Sequence, residues 1–60
     1  MHRNAYIGIL EGMIAENELF IAENKNIIPM DEESVSILDQ VIKAKSDITS
    51  LKKDIEKARL

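Results

Sequence analysis

The chain has 60 residues, of which 45% are hydrophobic and 32% charged, with a formal net charge of −3, no cysteine and a single histidine, His2. A chain this short forms one domain at most and buries only roughly 60% of the surface its unfolded form exposes. Disulfides are excluded, and a four-ligand zinc site lacks its donors, so close helix packing and self-association are the remaining ways to supplement a small core.

The opening stretch MHRNAYIGIL has one arginine ahead of a short apolar run that soon meets Glu11, a poor signal-peptide pattern. Glu11, Glu16 and Glu18 interrupt the most apolar segment, well short of the roughly 20 residues that a membrane span needs. These features predict a cytoplasmic, unprocessed chain with no membrane contact and no cofactor.

A first helix is predicted over about residues 4–25. At about 100° per residue, Ile9, Phe20, Met13, Tyr6, Leu10, Ile21, Ile14 and Ile7 form one broad arc with Asn17 in its middle, wide enough for two neighbouring helices. The opposite strip holds Ala5, Gly8, Gly12, Ala15, Leu19 and Ala22. Each glycine inside a helix costs about 1 kcal/mol relative to alanine. The Gly8 and Gly12 pair therefore reads either as a close-approach face for another helix, by analogy with small residues at tight crossings, or as a tolerated exposed face.

The stretch NKNIIPMDEES separates the helices. Asn24 and Asn26 suit a left-handed helix end, and the residue before Pro29 is biased away from helix. Asp31 is predicted to be an N-cap with Glu32 and Glu33 in the first turn, where the helix dipole favours carboxylates. Met30 and Val35 have the spacing of a hydrophobic staple. Capping accounts for the acidic run without a bound cation.

A second helix is predicted over about residues 32–58. Ile37, Val41, Ala44, Ile48, Leu51, Ile55 and Ala58 alternate spacings of four and three, the heptad pattern of a coiled-coil seam. Flanking charges would pair Asp47 with Lys52 and Asp54 with Arg59 in a parallel pair of chains, whereas antiparallel self-pairing in that register would oppose like charges. Val35, Leu38 and Ile42 form another apolar patch, turned away from the seam. Because the second helix is longer by roughly 10 Å, a hairpin closed near the turn would leave the tail from about Leu51 without an intrachain partner. The seam is therefore expected to face a second chain, with Asn17, Gly8 and Gly12 as further interface candidates. The alternative is that the seam packs on the first helix and the tail frays.

The charge is unevenly placed. Residues 1–42 carry two basic and eight acidic side chains, and residues 43–60 carry six basic and three acidic. Lys43, Lys53 and Lys57 share an outer face that nucleic acid could contact, although interleaved Asp47, Asp54 and Glu56 also fit a solvated helix face.

No catalytic constellation is legible. The serines and Thr49 have no placed activating base, and the glutamates lack a histidine three residues on, as bundle metal sites require. In plan, and at Leu38 and Asp39, the chain resembles the small aspartyl-phosphate phosphatases of sporulation control, whose second helix carries a Ser-Gln-Glu-Leu-Asp motif. Val35 stands at the serine position, so the match is two residues. The plan is also similar to hairpin dimers that bind RNA, with no shared residue motif. The sequence thus predicts an all-α two-helix antiparallel hairpin that self-associates, as a homodimer, into a four-helix or coiled-coil-like bundle. Its expected role is that of a non-enzymatic adaptor, inhibitor or assembly factor, acting on itself or on a heterologous protein helix. Nucleic-acid binding through the basic face is the first alternative, and a phosphatase-like regulator is the second.

Overall fold

The computed structural model describes residues 2–60, which form two α-helices, α1 (Arg3–Glu23) and α2 (Glu32–Arg59), packed against each other. Their bounds lie within two residues of those expected. Local chemistry accounts for the ends. His2 caps α1, its Nδ1 accepting from the Asn4 N–H at 3.2 Å. At the other end the Asn24 N–H donates to the Phe20 and Ile21 carbonyls, and its side-chain amide donates to Phe20 O at 2.9 Å. The expected left-handed asparagine does not occur, since no described residue has positive φ; the Asn24 amide satisfies the last carbonyls instead.

At the start of α2, Asp31 and Ser34 form a reciprocal capping box. The Ser34 N–H donates to Asp31 Oδ1 at 2.8 Å, and Ser34 Oγ accepts from the Asp31 N–H at 2.9 Å and the Met30 N–H at 2.8 Å. The Ser34 hydroxyl also donates to Asp31 Oδ1 at 2.8 Å, and the two bonds that Ser34 donates to the carboxylate, the backbone one foremost, hold the Asp31 carboxyl below its ordinary value of 3.8. The staple is weaker than the cap. Met30 and Val35 border one shallow depression, yet they remain 83% and 45% exposed.

The helices run antiparallel in a register that places the surplus length at the turn. Ile7, Leu10 and Ile14 of α1 form one buried cluster with Leu51 and Ile55 of α2, flanked by Ile48 and Ala58. Val41 and Ala44 are buried further toward the turn. With about 1.5 Å per residue, α2 is about 42 Å long and spans nearly all of the molecule's 45 Å. The start of α1 is level with the end of α2, so α1 stops near the level of Val41. Glu32 to Gln40 project beyond it, and the connection of residues 24–31 returns along them.

This corrects the expected overhang. The tail from Leu51 is the best-packed part of α2, and its first turns are the part without a helical partner. The connection is long enough to let α1 slide toward the tail, where Leu51, Ile55 and Ala58 offer more apolar surface than the acidic start of α2 does.

Candidate protein-interaction surfaces

The heptad seam is occupied within the chain. Val41, Ala44, Leu51 and Ile55 are buried, and Ile37, Ile48 and Ala58 are partly buried, on the side of α2 that faces α1. From Val41 onward the seam thus packs on α1 in the single hairpin, the arrangement that the sequence left as the alternative, while Ile37 lies beyond the end of α1, and the tail continues as helix to Arg59. Of the flanking charges, Arg59 meets Glu11 across the helices at 3.9 Å, with both side chains more than half exposed. Pairs of this kind contribute at most about 1 kcal/mol.

Asn17 is partly buried at the edge of the seam and borders two open depressions, so it lies at a water-accessible gap. Gly8 and Gly12 are exposed, and a Cβ added at either would meet nothing within 4 Å. No close approach inside the chain accounts for them. Lys53 and Lys57 are exposed on the outer face of α2 with Ser46, while exposed Lys43 and Ser50 lie at its edge and border depressions between the helices.

What the hairpin leaves uncovered is clearer than any of these. α1 presents an apolar stripe of Tyr6, Ile9 and Met13, which are 41%, 50% and 46% exposed, continued by partly buried Phe20. At about 100° per residue the stripe lies to one side of the α1 core line. Val35 and Ile42 of α2 are exposed with Leu38 partly so, on the other side of the molecule. The core between these surfaces is thin: seven buried hydrophobic residues, with no described side chain fully buried. The broad arc on α1 was legible in the sequence. Which part of it would stay open was not, because that depends on the register of α2.

The two sides of the hairpin differ. On the stripe side, a depression of about 270 Å³ runs between the helices, lined by Met13, Asn17, Asp47, Ser50 and Leu51, and a neighbouring one of about 290 Å³ reaches Phe20 and Ala44. On the other side the groove is lined by Glu11, Lys52, Glu56 and Arg59 over Ile14 and Ile55, and the Arg59–Glu11 pair crosses it. Among the described residues no three histidine, aspartate or glutamate side chains come together, no buried polar side-chain atom lacks a partner, and no helix is long and apolar enough to cross a membrane. This geometry offers surfaces for contact, and the depressions between the helices are open to solvent.

Comparison with protein-family models, with curated proteins and with solved structures finds no match. The functional reading therefore rests on these surfaces.

Proposed function

We propose that this chain is a small non-enzymatic helical interaction protein, an adaptor, inhibitor or assembly factor that works through self-association and protein contact. The observation that carries the reading is the imbalance between its thin core and the large hydrophobic side chains left exposed, including Tyr6, Ile9 and Met13 on α1 and Val35 and Ile42 on α2. Exposed apolar residues are ordinary one at a time, and it is their alignment along one helix that marks an interaction surface. A second copy is the simplest cover, giving four helices. The test is the solution mass of the full chain by sedimentation equilibrium. A dimer or larger species is expected at about 100 µM, a concentration at which even modest affinities show, and a monomer there would overturn self-association.

A second reading has its own support. Ser46, Lys53 and Lys57 on the outer face of α2, with Lys43 and Ser50 at its edge beside Asp47, form an exposed stripe which could follow a phosphate backbone. A gel shift with mixed nucleic acid at low salt, weakening steeply as salt rises, would favour it. No shift at low salt removes it.

A further inference from the structure

Tyr6, Met13 and Phe20 follow one another at intervals of seven residues, or about 10.5 Å of helix rise, and drift by only about 20° from one to the next. Met13 is also the central residue of α1 (Arg3–Glu23). These three residues are therefore nearly symmetric about Met13, while Ile9 of the same stripe has Asn17 at its mirror position. We propose that a second copy of this chain docks on this stripe, its α1 antiparallel to the first and the two-fold axis passing at Met13. This rests on the self-association proposed above and assigns its surface.

A two-fold axis at Met13 overlaps the two α1 helices end to end, setting Tyr6 of each copy against Phe20 of the other and Met13 against its own copy. Shifting the antiparallel register by one heptad leaves an aromatic ring of each copy beyond the partner's helix end. Such a self-complementary patch is what an isologous dimer requires, whereas a heterologous partner would have no need of the symmetry.

Area decides the orientation. A stable interface takes roughly 800 Å² from each partner, more than a contact between two single helices supplies. In the antiparallel arrangement both α2 helices fall on the same side of the α1 pair, so the flanks of all four helices meet along the 21 residues of α1, about 30 Å. A parallel arrangement would place the α2 helices on opposite sides and leave α1 against α1 alone. The stripe side also has the open depression beside Met13, Asn17, Asp47, Ser50 and Leu51, with a single charged side chain on its rim, into which partner side chains can pack. The opposite groove is bordered by Glu11, Lys52, Glu56 and Arg59, whose charges would have to be desolvated. The Val35–Ile42 patch is a poorer site, because an antiparallel overlap centred there brings Asp39 toward its own copy.

The test uses the full chain and two charge substitutions. Met13→Lys places two ammonium groups at the axis and should raise the dimer dissociation constant by roughly 30-fold or more, the effect of losing a central interface residue. Helical circular dichroism should be retained, because Met13 lies outside the buried cluster of the hairpin. Ile42→Lys should leave the dimer intact. In addition, Met13→Cys, in a chain with no other cysteine, should form a disulfide-linked dimer on mild oxidation, while Thr49→Cys should not; this holds the question open to measurement even if Met13→Lys fails to fold. A dimer that survives Met13→Lys, dissociates with Ile42→Lys, or is not captured by Met13→Cys overturns the assigned surface and leaves self-association standing. A parent chain that is monomeric overturns both.

Discussion

At the end of the hairpin away from the turn, three residues of α1 and two of α2 close into the buried cluster of Ile7, Leu10, Ile14, Leu51 and Ile55. At the turn end, α2 continues for more than two further turns from Glu32 with only the connecting chain beside it. Two devices maintain one helix. The far end is held by burial, at about 25 cal/mol per Å² of apolar surface, and the turn end is held locally by the Asp31–Ser34 capping box and by Glu32 and Glu33 in the first turn. Tertiary packing stabilises the greater part of a helix in most proteins, and local chemistry matters most where packing is missing.

The comparison can be broken most forcefully at the packed end. Leu51→Ala should destabilise the chain by about 2–3 kcal/mol, a large share of what so short a domain possesses, and should collapse the thermal transition followed by circular dichroism. If Leu51→Ala melted like the parent, the cluster would not be the core. At the turn end, Asp31→Ala removes the cap and should cost less than Leu51→Ala, because it frees only the first turn of α2. The loss should be seen as faster amide exchange over the first turns of α2 with little change at Leu51 and Ile55; equal acceleration at both ends would mean that they are not separately held.

The cap also carries a pH signature. The Asp31 carboxyl titrates below its ordinary 3.8 because the folded chain donates hydrogen bonds to its charged form. Its contribution is therefore complete above the unfolded-state value and is lost as pH falls through the lower folded value. Amide exchange at the start of α2 should accelerate on acidification in that window, and Asp31→Asn should flatten the dependence.

Gly12→Ala is expected to stabilise by about 0.5–1 kcal/mol, from helix propensity alone, because the added methyl meets nothing within 4 Å. A rise in melting temperature with unchanged solution mass would show the face to be free, and a fall in mass would show that another chain approaches it. The smallest effect is expected from Arg59→Ala. Its pair with Glu11 is long and exposed, so the change should remain within about 0.5 kcal/mol and vanish at high salt.

The helices were legible in the sequence because their signals are local. Pro29, Asp31 and the acidic first turn mark the start of α2, and the absence of any breaker carries it to Arg59. The seam from Ile37 to Ala58 was also legible as a face that must be covered. What covers it was not. An eight-residue connection imposes little on register, so the surplus length of α2 could fall at either end, and only the match of Ile7, Leu10 and Ile14 with Leu51 and Ile55 decides. That choice frees the Tyr6–Met13–Phe20 stripe, whose seven-residue spacing is visible in the sequence but acquires meaning only once the other flank of α1 is seen to be filled.

The position of the buried cluster bears on how the chain reaches its fold. Its two halves come from opposite ends of the sequence, so the strongest contacts require closure of nearly the whole intervening chain. Zipping from the turn would bury Val41 and Ala44 first, against the half-covered Phe20 and Ile21, a smaller gain to offset the ordering of each residue than the five-residue cluster at the far end provides. Assembly is therefore expected to begin with helical segments that flicker independently and to commit when the termini collide, so that folding speed depends on what lies farthest apart along the chain.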